Sequence, residues 1–400
     1  GNLIKNLIFK KSDLYLSKGE LQMSKKKTVF SIIILVIIIL IVLLGLLYGL
    51  NFIGSPKAVK GEQKENYQQN ATNIGNKQND SNSINVALTM DDEITKDTAW
   101  CGTFQLIWND LKNDVVKQDI VFNPQLKEVE NLNKESFNIT QISENSYYKA
   151  QGIPTQELKQ QIENGIKEKF DETSDILDNF VFDGNPNKYF LYAMLKKEFE
   201  FENEFEELDN DKFGEYDDVE YFGIKSDSNE LLRSQVQVLY YNSKEDFAIK
   251  LLTKQNDEVI ISRGNKGNTF NEMYNDIKNK QTTYQGSTIF TEIDKLQIPK
   301  INFDVKKEFE NLENKYFETA EKERMLIEKA LQTIEFELDE KGGKVKSEAG
   351  MMTNKMALLP KENEPREFIV DDTFTIFLLE EGKEMPYFCA NIDDITKFQD

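Results

Sequence analysis

Histidine is absent from all 400 residues. That removes every Ser–His or Cys–His nucleophile pair, every His-ligated zinc site and every His general base. Cysteine is nearly absent. Cys101 and Cys389 are the only two, too few for a disulfide framework or a four-cysteine metal site. Basic residues are outnumbered, 49 Lys and Arg against 70 Asp and Glu, which leaves a net charge of −21. A nucleic-acid binder needs the opposite surface. Glycine-rich phosphate loops of the Walker or dinucleotide type are missing as well. These absences disfavour an enzyme, and no cofactor or metal is expected.

One long apolar run is present, from Val29 to Leu50. About 20 residues suffice to cross a bilayer, and Lys25, Lys26 and Lys27 stand directly before the run. The positive-inside rule then places residues 1–27 in the cytoplasm, a signal anchor at 28–50 and the remainder outside the cell. A cleaved signal peptide is the alternative, but its apolar region is shorter, ~7–15 residues, and ends in small residues. Met23 precedes the lysines as a start codon would, so residues 1–22 read as translated leader. From 51 to 93 the chain is rich in Asn, Gln, Lys and Ser. It has too few apolar residues to offset its chain entropy and reads as a disordered extracellular tether. A folded domain is expected over 94–400.

Within that domain the periodicity predicts helices first. Trp100, Phe104, Ile107, Trp108 and Leu111 recur at helical spacing, with Cys101 on the same helix. Asn123-Pro124 marks a break, and Leu158, Ile162, Ile166 and Phe170 form a second amphipathic face after Pro154. Strands are then predicted at 188–196, 219–224, 234–241, 247–253 and 258–262, with a short helix over 269–280. Residues 296–303 read as a strand interrupted at Pro299, and 305–312 as helix. Residues 330–338 alternate late on, with Ile334, Phe336 and Leu338 on one face. Residues 371–379 are apolar on both faces, as a central strand is, and 386–392 form the last strand. The class is α+β.

Two stretches resemble the serpins. IEFELDEKGGKVKSEA (334–349) resembles the hinge that leads into the reactive-centre loop of that family. PREFIVDDTFTIFLLEEGKEMPYFCAN (365–391) resembles the strand pair that follows the loop. Between them, YAMLKKEFEFE (192–202) resembles the third strand of the main sheet, QVQVLYYNSKEDFAIKLL (235–252) the paired strands of the second sheet, and LQIPKINFD (296–304) the strand before the late helix. The likeness covers roughly Thr95 to Ile395. It implies N-terminal helices, a large antiparallel main sheet, smaller second sheets and an exposed loop. It also implies a monomeric protease inhibitor, which the signal anchor would hold at the cell membrane. The composition, heavy in Lys, Asn and Ile, points to an AT-rich genome such as that of a Gram-positive bacterium.

What the resemblance implies can be placed residue by residue. The hinge is Glu340, Lys341, Gly342, Gly343, Val345, Ser347 and Ala349. Hinge-to-cut spacing places the reactive bond at Met356-Ala357, flanked by Lys355, Leu358 and Leu359, which favours elastase-, subtilisin- or chymotrypsin-like proteases. Cutting after Lys355 would suit a trypsin-like one. Gly343, Val345, Ser347 and Ala349 fall on one face of a would-be strand, while Lys344, Lys346 and Glu348 fall on the other. The pattern departs from the family at Tyr192 and Gln332, where Asn and His are expected, and near Glu200, where Trp is expected. These positions control opening of the family's main sheet, so a non-inhibitory binding or scaffold protein is the alternative. Cys101 and Cys389 are expected as buried free thiols. The acidic run 198–207 reads as an amphipathic edge rather than a calcium site.

Overall fold

The computed structural model describes residues 84–225, 230–343 and 365–399, all within the compact unit Gln78–Asp400. The expected membrane anchor, most of the tether and the reactive bond lie outside these residues. The folded part begins earlier than the predicted boundary at 94. Strand β1 (Asn85–Val86) runs parallel to β2 (Thr98–Cys101), and Leu88 and Met90 are buried between them in sequence.

Trp100 and Cys101 are therefore strand residues, not helical ones as expected. Gly102 separates β2 from helix α1 (Thr103–Asp110), which runs on through a π-helical turn, Leu111–Val116. Phe104, Trp108 and Leu111 are buried as a helical face should be. After α2 (Lys127–Asn133) comes β3 (Tyr147–Gly152), then α3 (Gln156–Phe170), whose Thr155 cap accepts from the Leu158 amide, then β4 (Phe190–Leu195). Two short strands follow, β5 (Phe199–Glu200) and β6 (Glu206–Glu207), and a hairpin of β7 (Asp211–Phe213) and β8 (Tyr216–Val219). Next are β9 (Tyr221–Ile224), α4 (Glu230–Ser234) and a meander of β10 (Val236–Ser243), β11 (Asp246–Leu252) and β12 (Asp257–Arg263). Helix α5 (Phe270–Thr283) is capped by Thr269.

Strand β13 (Lys295–Pro299) stops at its proline, as expected, and β14 (Ile301–Glu308) resumes one residue later. The helix expected over 305–312 is a misreading. Ile301, Phe303 and Val305 are buried while Asn302, Asp304 and Lys306 are exposed, the period of a strand. A hairpin, β15 (Tyr316–Glu318) and β16 (Arg324–Leu326), precedes β17 (Leu331–Leu338) and the two-residue β18 (Gly342–Gly343). The chain returns in β19 (Glu367–Ile369), β20 (Phe374–Glu380) and β21 (Phe388–Ile392).

The fold is α+β, with one large sheet and several small ones. Seven strands pair in the order β1-β2-β21-β20-β12-β11-β10, and four in the order β19-β13-β9-β6. Every residue of β20 is buried, which fits its place between β12 and β21. Helix α5 lays Phe270 and Tyr274 against Phe377 of that strand. The large sheet does not contain the hinge strand. β17 pairs with β14 and β4 with β3, as two separate antiparallel ladders, and no ladder joins β17 to β4 among the described residues. The β3–α3–β4 layer holds its own apolar cluster, built from Leu158, Ile162, Ile166, Phe182, Phe190 and Tyr192. It is distinct from the main core, which Leu191, Leu195 and Tyr147 touch only as half-buried side chains.

The two thiols are buried and free. They lie on neighbouring strands, where Trp100 faces Cys389 and Cys101 faces Phe388. Facing residues share a side of the sheet and successive residues alternate, so the two cysteines project to opposite sides. A disulfide would require the backbone to turn over.

Candidate functional site

The predicted hinge is a tight reversal at the end of β17. Asp339 and Gly342 exchange backbone hydrogen bonds, N–H to O at 3.3 and 3.4 Å. The Asp339 carboxylate tightens the turn by accepting from the amides of Lys341 at 2.8 Å and Gly342 at 3.1 Å. Gly342 has φ +117°, a region glycine alone enters freely. A Cβ there would press on the Phe199 carbonyl oxygen and stand 2.7 Å from Glu200 Cα.

That close approach exists because the reversed chain pairs with β5. Gly342 lies opposite Glu200 and Gly343 opposite Phe199, antiparallel. The Phe201 amide donates to the Lys341 carbonyl at 3.0 Å, and the Phe205 amide to that of Glu340 at 2.8 Å. Beneath the turn Phe199, Phe201, Phe205 and Phe222 pack ring against ring. These aromatics fill the place where the resemblance expected a tryptophan. Glu200 turns outward to Lys254 at 2.7 Å.

Glu340 is the charged anchor of the turn, with only 5% of its side chain exposed. Its carboxylate pairs with Lys300 at 2.9 Å and with Lys341 at 2.9 Å, and Lys300 also meets Glu207 at 3.0 Å. Burial works to raise its pKa, but the two hydrogen-bonded ammonium groups outweigh burial and hold it down at about 2, against an ordinary 4.5. A depressed carboxylate contributes stability in full above its unfolded value and loses it as pH falls through the folded one. Amide protection at Phe201 and Phe205 is thus expected to hold from pH 7 to about 5 and to fall between about 4.5 and 2. Glu340→Gln should remove that acid dependence in hydrogen exchange; an unchanged profile would mean that Glu340 does not hold the turn. Beside the turn lies an open cleft of about 540 Å³ lined by Glu204, Phe205, Glu206, Glu207, Lys225, Glu340 and Lys341.

The far end of the loop is fixed in a different layer. The buried Arg366 reaches Asp294 with two nitrogens, at 2.8 and 3.1 Å, and donates to the carbonyls of Ser287 and Ile289, both at 2.6 Å. Phe368 is fully buried against Tyr241, Phe247 and Phe290. Residues 344–364, which follow β18 and precede β19, lie outside the described residues.

Of the predicted site, Glu340, Lys341, Gly342 and Gly343 are brought together at the turn. Val345, Ser347 and Ala349, the bond Met356-Ala357 and its flanks Lys355, Leu358 and Leu359 lie outside the described residues. Gln332 and Tyr192 face different partners. Gln332 Nε2 donates to Thr103 Oγ1 at 2.6 Å and to the Cys101 carbonyl at 3.2 Å, tying β17 to the start of α1. The Tyr192 hydroxyl meets Ser174 Oγ at 3.3 Å. The acidic run 198–207 buries Phe199, Phe201 and Phe205 and turns Glu202 outward.

Sequence reasoning missed a buried polar knot behind the hinge. Lys197 Nζ lies 2.8 Å from both Asp257 and Glu380. The Tyr387 hydroxyl donates to Asp257 at 3.1 Å, and Ser143 and Ser146 donate to Glu380. Its members come from four distant segments, and Lys196-Lys197 reads locally as surface charge.

No family model and no curated protein matches the chain. Among solved structures it is similar to thyroxine-binding globulin in complex with thyroxine, at 12% identity and TM-score 0.38, over 60% of this chain and 65% of that one. The chain thus spans just under two thirds of that protein. It is similar to human glycosylated kallistatin at 12% identity and TM-score 0.40, over 69% and 72% of the two chains. It is similar to Serpin48 of the insect Tenebrio molitor at 12% identity and TM-score 0.36, over 67% and 71%. These three proteins are serpins, the family that the chain's hinge and C-terminal strands resemble.

Proposed function

We propose that the protein is a membrane-tethered, extracellular serpin-like inhibitor of serine or cysteine proteases. The observation that carries this reading is the reversal at Asp339–Gly342. The chain leaves β17, turns back, and pairs Gly342–Gly343 with β5 as an antiparallel ladder. Among the described residues β17 and β4 each have a ladder partner on one side only, β14 and β3. A strand that continued from Gly343 would run antiparallel to β17, into the place between the two ladders.

The chemistry would be the protease's own. Its hydroxyl or thiol attacks the Met356 carbonyl, the Met356–Ala357 bond breaks, and Ala357 leaves as a free amine. Residues 344–356 then carry the acyl-enzyme with them as they enter the sheet, before water can release it. The anchors at Arg366 and Phe368 keep the other product in place. The runner-up is a serpin-fold binding protein that does not trap proteases. The unlinked Tyr192 and Gln332 favour it, because no side-chain bond between them joins β4 to β17.

The test uses the full chain in detergent, incubated with elastase-, subtilisin-, chymotrypsin- and trypsin-like proteases. An SDS-stable complex and a released fragment that begins at Ala357 are expected. Cleavage with no complex and no gain in thermal stability would replace this reading with the binding protein.

A further inference from the structure

One carboxylate receives both ends of the β3–α3–β4 layer. The chain enters the layer through the short turn Glu144–Ser146 and leaves it just before Lys197. Glu380, the last residue of β20, accepts from the Ser143 amide at 2.8 Å and from the hydroxyls of Ser143 and Ser146, both at 3.0 Å. The same carboxylate meets Lys197 Nζ at 2.8 Å. Entry and exit of the layer are thus tied to the large sheet at one point.

That point carries one carboxylate more than its cation balances. β12 and β20 place Asp257 directly opposite Glu380, and like charges facing across a ladder repel. Lys197 bridges them, 2.8 Å from each, and among the described residues no other cation pairs with either. The Asp257 side chain is only 1% exposed. Its Oδ1 takes both Lys197 and the Tyr387 hydroxyl. Its Oδ2 is buried with no hydrogen-bond partner among the described residues. Such an oxygen is costly while the group is charged and much less so once it is protonated. One proton on Asp257 leaves a balanced set, one ammonium and one carboxylate.

The surrounding groups leave that count unchanged. Lys196, beside Lys197, is taken by Glu172 and Glu198. Lys383, in the turn after β20, donates to the Thr140 carbonyl. Glu258, beside Asp257, pairs with Lys250, and Glu144, Glu381 and Glu384 are exposed. Burial, reinforced by Asp257, Glu380 and the Cys101 thiol, holds the Tyr387 hydroxyl well above its ordinary value, so it stays a donor.

We infer that Asp257 and Glu380 form a proton-gated latch on the β3–α3–β4 layer. The latch is tightest with one proton on the pair, carried by Asp257. It loosens when that proton leaves and, separately, when a second one reaches Glu380. The device does not depend on whether the protein traps a protease. Burial lifts Asp257 above its ordinary 3.8 despite Lys197, so its contribution is present at low pH and lost as pH rises through the folded value. At Glu380 burial is outweighed by Lys197, Ser146 and Ser143, which hold it below its ordinary 4.5. Its contribution is present above that value and lost as pH falls through the folded one.

Hydrogen exchange of the full chain in detergent, corrected for the intrinsic pH dependence of exchange, tests the latch from about pH 3 to 8. The Ser143 amide and the Lys196 amide, which donates to the Ser146 carbonyl at 3.0 Å, report on the layer; β10 and β11 are the control. Wild-type protection in the layer is expected to pass through a maximum and to fall on each side by at most about tenfold per pH unit, the slope of one proton. β10 and β11 should follow neither limb. Asp257→Asn should abolish the alkaline fall and Glu380→Gln the acid one. Tyr387→Phe keeps both carboxylates, removes one donor to Asp257 and should move the alkaline limb to higher pH. A wild-type profile that lacks either limb, the same profile in β10 and β11, or an unmoved alkaline limb in Tyr387→Phe overturns the latch. Wild type and Tyr387→Phe decide the matter even where a carboxylate variant does not fold.

Discussion

Gly342→Ala is expected to detach the hinge from β5. The residue sits at φ +117° with the Phe199 carbonyl and Glu200 Cα where a methyl group would go. Backbone strain of this kind costs about 1–3 kcal/mol, and the collision with main-chain atoms adds to it. Strand β18 has only two residues to offset that. Hydrogen exchange at the Phe201 and Phe205 amides, which donate to Lys341 and Glu340, should accelerate by about tenfold or more. In protease incubations the variant should shift from trapped complex toward simple cleavage. Gly382→Ala separates the two causes, because Gly382 has φ +76° and nothing within 4 Å of a built Cβ. It should show strain without disturbing the hinge. Unchanged protection in Gly342→Ala would mean that the turn does not depend on glycine.

The second large effect is expected at Lys197. Its ammonium is the single cation, among the described residues, between two buried carboxylates, Asp257 and Glu380, and lies 5.3 Å from the Tyr387 ring centre. Lys197→Met fills the volume and removes the charge. Breaking a buried pair from one side costs about 3–5 kcal/mol. For a domain of this size that is a fall in Tm of about 5–8 °C. The pH dependence has a definite sign. Burial raises the Asp257 pKa more than Lys197 and Tyr387 lower it. The folded state therefore holds that proton more tightly than the unfolded chain, and stability falls as pH rises through the folded value. Glu380 goes the other way: burial opposes, but Lys197, Ser146 and Ser143 hold it below its ordinary value. Its contribution is present at neutral pH and lost in acid. Without Lys197 both acids favour the proton, so the variant should recover part of its deficit on going from pH 7 to 5. A Tm deficit that is the same at both pH values would show that lost packing, not charge, is responsible.

Several strands were legible in the sequence, among them 190–195, 247–252, 374–380 and 388–392. The errors have physical causes. Trp100 and Cys101 fit a helical spacing with Phe104 and Trp108, but β2 is held by its pairing with β21, nearly three hundred residues away. Lys306-Lys307-Glu308 reads as a helix surface, yet these residues sit at the solvent-facing end of β14. The pairing of β4 with β3, and of β17 with β14, has no local signature. The buried knot was invisible for the same reason, since burial of Lys197 is a property of what packs over it. Residues 84–93 look like tether because their few apolar side chains are spread among polar ones, and it takes the pairing of β1 with β2 to bury them.

The separate apolar cluster under α3 bears on how the molecule yields. A layer that carries its own core behaves as its own cooperative unit. Moving β3, α3 and β4 away from β17 would leave the rings of Phe182 and Phe190 in contact. What must be given up is boundary, including the half-buried Leu191, Leu195 and Tyr147, the Lys149–Asp110 and Lys188–Glu328 ion pairs and the Gln151–Asp114 hydrogen bond. At one end Lys197 clamps the layer to Asp257 and Glu380. The layer therefore has an interior of its own and is joined to the rest through half-buried side chains and ion pairs.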